Sequence, residues 1–302
     1  MNLFAGLEKF GFSGKDDMDI MDDGKKKSSK SKEPVAKEVK EVTEEDLLLN
    51  KTIQCPVCDG RFQALMVKTA KLKRQEPDFD LRPNFAGIDT VKYDVTACPN
   101  CGYAAMNRYF ESLSVGQKKL IRTEVCAKYR PVKPVPCTTY SYDQAIERFK
   151  ISLVSTMVKR AKLSEKSYTC LKISWLMREK LKEMPNKTEE DKAARKEVTQ
   201  EMVGFYKQAY EGFMKVASTE TPPFCGMDSN TLDFMLANMS FYFKQYDTAG
   251  KLVSRLLGGS GVPSRVKDKC LDLKDKIVAA KKAQEEKAAA AAAKKAAKPA
   301  DK

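Results

Sequence analysis

Two short cysteine motifs constrain this chain more than any other feature. The first reads Cys55-Pro56-Val57-Cys58-Asp59-Gly60 and the second Cys98-Pro99-Asn100-Cys101-Gly102-Tyr103. In a CPxC turn the two thiolates converge on one point and the turn's N–H groups face sulfur. A glycine after the pair supplies backbone with positive φ, and Gly60 and Gly102 stand in that place. Two such turns complete a shell of four sulfurs around one tetrahedral ion. Cys55, Cys58, Cys98 and Cys101 are therefore the expected ligands, with one Zn2+ as the expected metal. A rubredoxin-like iron shell uses the same ligands, so iron stays open. A thioredoxin-like dithiol needs a CxxC that opens a helix, whereas both turns here are placed at strand ends. Four thiolates fill a tetrahedral ion and leave no position for water, so the metal is read as structural.

Composition narrows the function. The 302 residues leave room for about two domains and contain no histidine. The commonest general base and catalytic zinc ligand is thus missing. Asp78, Asp80, Asp89 and Asp94 could supply carboxylates, but their spacing gives no reason to pair them. No enzymatic activity and no small-molecule substrate are expected. The nine cysteines, an odd number without a secretory leader, point to a reduced, cytoplasmic chain. Glu8 and Lys9 interrupt the apolar N-terminus, and no stretch is long enough for a membrane span.

The formal net charge is +14. A basic body suits phosphate backbones, and Lys68, Lys71, Lys73 and Arg74 crowd the arm after the first knuckle. A nucleic-acid-associated ribbon is therefore the alternative function. Lysines on solvated helix faces explain the same charge, and few aromatics lie nearby for base stacking.

Four regions follow along the chain. Residues 1–43 hold an apolar start, an acidic block at 16–23 and a lysine-serine block at 25–32, too polar for a core. Residues 44–135 form the zinc-ribbon domain. There Thr43 is read as the N-cap of a short helical start, Leu47–Leu49 as one apolar turn, and Phe62–Leu72 as a strand within a hairpin arm. Residues 75–90 read as a loop. The alternation Val91, Tyr93, Val95 predicts a half-exposed strand, and Tyr103–Met106 continues it. Ser114 caps a helix to about Tyr129, and Pro131, Pro134 and Pro136 mark a stiff boundary. Cys126 and Cys170 fall in predicted helices and read as small core residues.

Residues 140–285 are helical, with helices expected near 141–161, 164–183, 188–217, 229–243, 246–258 and 263–285. An Ala/Lys-rich tail occupies 286–302. Leu236-Ala237, the turn Tyr246-Asp247-Thr248-Ala249 and Pro263 fit a tetratricopeptide-like helix pair. Ile173-Ser174-Trp175 with Tyr206, Ala209 and Phe213 fits an earlier pair, lengthened by the polar 185–198 region. A generic bundle has the same periodicity and stays open. In the repeat register Trp175, Arg178, Asn238, Phe241 and Tyr242 line a concave groove. Arg178 and Asn238 then suit recognition of an extended peptide or its carboxylate. The fold class is α+β and mostly α: a small ribbon followed by a tetratricopeptide-like helical domain. The function read from these features is a zinc-stabilised adaptor for a protein or peptide.

Read in order, Cys55 and Cys58, Tyr93-Asp94-Val95, Cys98, the run Cys101-Gly102-Tyr103-Ala104 and Trp175 resemble an uncharacterised bacterial family. That family is a domain of unknown function with a zinc ribbon followed by tetratricopeptide-like helices. The resemblance covers roughly 45–260. It implies the fold and a bacterial cytosolic setting, and it brings no activity.

Overall fold

A computed structural model describes residues 42–131 and 137–296, with side chains through Lys287. The expectations for the first 41 residues, for Pro134 and Pro136, and for the end of the tail lie outside the described residues. Residues from Val42 onward form one compact unit.

Four strands build the ribbon. β1 (Leu48–Gln54) pairs antiparallel with β2 (Arg61–Val67), placing Ile53 opposite Phe62. β3 (Val95–Ala97) pairs with β4 (Ala104–Met106), placing Ala97 opposite Ala104. Each cysteine knuckle is thus the turn of one hairpin. The strand expected from Phe62 is present, but its partner is the stretch before the knuckle. Leu47 closes a 3-10 turn over Glu45–Leu47, and Leu48 and Leu49 then open β1. The expected cap at Thr43 is reversed: its N–H and hydroxyl donate to Asp46 Oδ2 at 3.1 and 2.9 Å.

The Val91–Tyr93 strand is corrected. Residues Thr90–Tyr93 form a 3-10 turn, because the Asp89 side chain accepts from Val91 N and starts it. Val91, Lys92 and Tyr93 are all buried, so no in-out alternation exists there. Lys92 tolerates burial because its ammonium meets Glu44 at 2.7 Å, and the Tyr93 hydroxyl donates to the same carboxylate.

Helices follow. α1 (Val115–Ile121) starts at a capping box of Ser114 and Gln117 and passes into a π-helical turn over Arg122–Cys126. α2 (Tyr142–Val158) starts at a second box, Ser141 with Gln144. α3 (Leu163–Glu183) and α4 (Glu189–Thr219) form the longest packed pair. The polar region at 185–198 mostly lengthens α4, which a Thr188–Asp191 box begins. Arg195 of α4 reaches back to cap α3, donating to the carbonyls of Leu181 and Met184 at 2.6 and 2.8 Å. α5 (Ser229–Tyr242) is capped by Asp228, and α6 (Tyr246–Gly258) and α7 (Ser264–Ala296) follow, each packed on the helix before it. Ala237, Ala249 and Val253 are buried where α5 meets α6, and Leu236 is buried in the larger core. Among the described residues no helix is long and apolar enough to cross a membrane.

Ribbon and helices share one core. Val91, Val95, Ala104 and Met106 join Phe149, Ile173, Trp175, Leu176 and Phe213 in a single apolar cluster. Small residues make the contact possible. β4 is wholly buried, Ser152, Ser155 and Thr156 face it from α2, and the Ser155 hydroxyl accepts from Ala104 N at 3.3 Å.

Candidate metal centre and helical groove

The two knuckles repeat one backbone plan. In the first, Asp59 N donates to Cys55 O at 2.9 Å and Cys55 N to Gly60 O at 2.9 Å. In the second, Gly102 N donates to Cys98 O at 3.0 Å and Cys98 N to Tyr103 O at 2.8 Å. The position with positive φ is equivalent in both, and it is Asp59 (φ 59°) and Gly102 (φ 76°). Gly60 is therefore not the left-handed residue. Its role is clearance, since a Cβ there would lie 2.6 Å from Asn100 Nδ2 of the opposite knuckle. At Gly102 a Cβ would lie 2.3 Å from Tyr129 Cδ2.

These turns bring four thiols together. All four sulfurs lie within 4.8 Å of one another, with Cys55–Cys101 and Cys58–Cys98 both at 3.7 Å. A tetrahedral ion with metal–sulfur bonds of about 2.3 Å holds its sulfurs about 3.8 Å apart, so the spacing fits a four-thiolate metal. The N–H groups of Val57 and Cys58 face Cys55 Sγ, and those of Asn100 and Cys101 face Cys98 Sγ. The crowded thiols shift one another: the Cys101 and Cys55 thiols lower Cys98, and the Cys55 and Cys98 sulfurs raise Cys101. A bound divalent ion relieves that crowding and favours all four thiolates.

An aromatic shell supports the site. Tyr103 stacks on Phe110 at 5.0 Å, Phe62 meets Phe110 edge-on, and the Tyr103 hydroxyl donates to Phe110 O. Arg122 clamps Val57 O with Nε and Nη2 at 2.8 and 2.6 Å. Cys126 is half-buried and packs against this shell, whereas Cys170 sits in the helical core. Both positions agree with the reading of these two cysteines as small core residues, Cys126 only in part since it is half-buried.

The groove residues divide. Arg178, Asn238, Phe241 and Tyr242 line one cavity of about 550 Å3, joined by Tyr206, Tyr246 and the loop residues Asp78, Phe79 and Asp80. Trp175 does not line it. The indole is 2% exposed, and Nε1 donates to Asp80 Oδ2 at 2.8 Å. Arg178 is likewise engaged within the chain, donating to Asp80 Oδ2 at 2.8 Å and Asp78 Oδ2 at 2.6 Å. The loop of the ribbon arm thus supplies the carboxylates that the sequence assigned to a partner. The Asn238 amide donates to Phe234 O at 2.8 Å, while its Oδ1 is buried without a hydrogen-bond partner.

The remaining expected residues are peripheral. Lys68 Nζ donates to Asp46 O, and Lys71, Lys73 and Arg74 are exposed along the arm. Asp89 pairs with Arg82 at 2.6 Å, and Asp94 pairs with Lys172. With Asp78 and Asp80, all four candidate carboxylates are engaged in ion pairs.

A family model described as "Uncharacterized protein conserved in bacteria (DUF2225)" matches residues 48–277, a span that takes in both knuckles and the helices into the first half of α7. No curated protein and no solved structure gives a significant match.

Proposed function

The chain belongs to this family of uncharacterized proteins conserved in bacteria, and from that premise we propose that it is a zinc-stabilised adaptor for an extended segment of a protein partner. The segment lies in the groove between the Asp78–Asp80 loop and helices α5 and α6. Zinc is held by Cys55, Cys58, Cys98 and Cys101, and it ties two short hairpins that have too little core of their own. Nine free cysteines suit a reducing, cytoplasmic setting.

The observation that carries the reading is the aromatic-walled cavity itself, which Asn238, Phe241 and Tyr242 of α5 line opposite Phe79 of the loop. A volume near 550 Å3 is within the range of specific binding sites. Phe79 and Tyr242 are 39% and 49% exposed, so each presents part of its ring to a guest while its other contacts hold it in place. The aromatic walls suit the side chains of an extended partner segment, and Asn238 closes the cavity floor from α5. Because Arg178 is already paired, the guest presents an aromatic or long apolar side chain rather than a carboxylate. A groove on the first helix of each pair is also what a tetratricopeptide-like stack provides.

The test is a photo-crosslinking residue at Tyr242 in the native cell. Recovery of one defined partner segment, lost when Asn238→Leu is added, supports the reading. Crosslinks to nucleic acid, or recovery unaffected by Asn238→Leu, overturn it. Metal analysis of protein purified without added metal tests the zinc: one equivalent of zinc is expected, and iron in its place reassigns the centre.

A further inference from the structure

A second cavity, of about 330 Å3, lies on the other side of the 77–83 loop, between that loop, α5 and the start of α7. Its interior is apolar. Leu81, Tyr168, Trp175, Phe234 and Met235 form the floor, all buried or half-buried. Its mouth is cationic, with Arg74, Arg265 and Lys269 around it. Glu76 bonds to both Arg265 and Lys269, at 2.7 and 2.6 Å, so one carboxylate answers two of the three cations. Among the described residues no carboxylate lies within ion-pair distance of Arg74. Arg265 and Lys269 also lie in the first turns of a 33-residue helix, at the positive end of its dipole.

We propose that this cavity binds a small amphipathic anion, a single apolar chain or ring ending in one carboxylate or phosphate. The floor rewards removal of an apolar tail from water in proportion to its area. The head then meets Arg74 and Lys269, where charge-assisted hydrogen bonds form, and Glu76 turns away to solvent. The volume stands at the small end of the range for small-molecule sites, which favours one tail over a folded partner. Such a ligand departs from the sequence expectation of a purely protein-binding chain. It is independent of the peptide groove, which Asn238 and Tyr242 line on the far side of the loop.

The chain carries its own reporter, because its single tryptophan, Trp175, is in the floor. The probe is dodecanoate below its micellar concentration, titrated into the metal-loaded full chain while Trp175 emission is read. A saturable change is expected. Dodecylammonium, the same tail with the opposite charge, is expected to give none. The double variant Arg74→Gln, Lys269→Gln weakens dodecanoate at least tenfold; Arg74 is exposed and Lys269 half-buried beside Glu76, so the unfolding midpoint is read alongside to separate lost binding from lost stability. Thr231→Phe narrows the mouth from α5 and abolishes binding while the cations stay in place. An equal response to dodecylammonium, no saturable response, or full affinity in the double variant overturns the proposal. Dodecanoate binding that a short peptide with an apolar C-terminal residue displaces more tightly reassigns the site to a protein terminus.

Discussion

Trp175 and Asp80 stand 95 positions apart, and the indole Nε1 donates to the Asp80 carboxylate at 2.8 Å. This bond, with two from Arg178 to the same carboxylate, fastens the loop of the ribbon to α3. Asp80 is 5% exposed, so its charge is held out of water and must be matched by these donors. Replacement by alanine leaves a buried indole N–H without an acceptor and leaves Arg178 with Asp78 alone, at a cost of about 3 kcal/mol. Asp80→Asn keeps one acceptor and costs less. Urea unfolding read by Trp175 emission checks both, and a loss below about 1 kcal/mol for Asp80→Ala contradicts the account.

Removing the metal is expected to melt the ribbon first. Structural zinc contributes about 10–16 kcal/mol in small peptides, far more than two short hairpins can replace. Chelation therefore abolishes hydrogen-exchange protection in β1 to β4 while α5, α6 and α7 stay protected. Each ligand binds only as thiolate, so protons compete with the ion and it is released as pH falls. Metal release that leaves the ribbon amides protected argues against a structural role.

Three glycines give opposite results with one substitution. Gly102→Ala places a methyl against Tyr129 in left-handed backbone, so both stability and metal affinity fall. Gly212→Ala drives a methyl into Ser167 Oγ, 2.1 Å away where α4 crosses α3, and is also destabilising. Gly204 has nothing within 4 Å of its added Cβ and is exposed in the middle of α4. Gly204→Ala is expected to stabilise by about 0.5–1 kcal/mol, read as a higher unfolding midpoint.

Alkaline pH tests the buried thiols away from the metal. Burial pushes Cys270 from 9.0 up to about 11, where α7 packs on α5 and α6. The unfolded chain ionises this thiol near 9, while the folded chain keeps its proton. Its contribution is complete below pH 9 and is lost as pH rises from 9 to 11, on the order of 2 kcal/mol in all. Cys270→Ala lowers stability at pH 7 but shows a shallower decline across that window. Identical slopes for the two proteins contradict the assignment.

The four-cysteine cluster was legible because its chemistry is local. A CPxC turn folds its own two sulfurs into position, and the four cysteines meet at the expected spacing. Helix starts were legible for the same reason: at Ser114 and Ser141 the cap and its glutamine partner are three residues apart. Gly60 and Asp59 mark the limit. Sequence pointed to the glycine as the left-handed residue, yet the knuckle's backbone bonds put positive φ on Asp59 and leave Gly60 to make room for Asn100. The Val91–Tyr93 turn failed for a related reason. Alternation implies a strand only when the polar residues face water, and Glu44, 48 positions away, lets Lys92 be buried.

Sequence alone determined the four-thiol centre, the order of ribbon before helices and most helix limits, since each depends on neighbours a few bonds away. Tertiary structure alone decided what the groove contains. Arg178, expected to meet a partner's carboxylate, meets Asp78 and Asp80 of the same chain, and Trp175, expected to line the groove, meets Asp80. No periodicity encodes that pairing, because a loop finds its groove only after the ribbon has docked on α2 and α3. The same docking divides the helical face into two cavities, leaving Asn238 unpartnered in one and Arg74 at the mouth of the other.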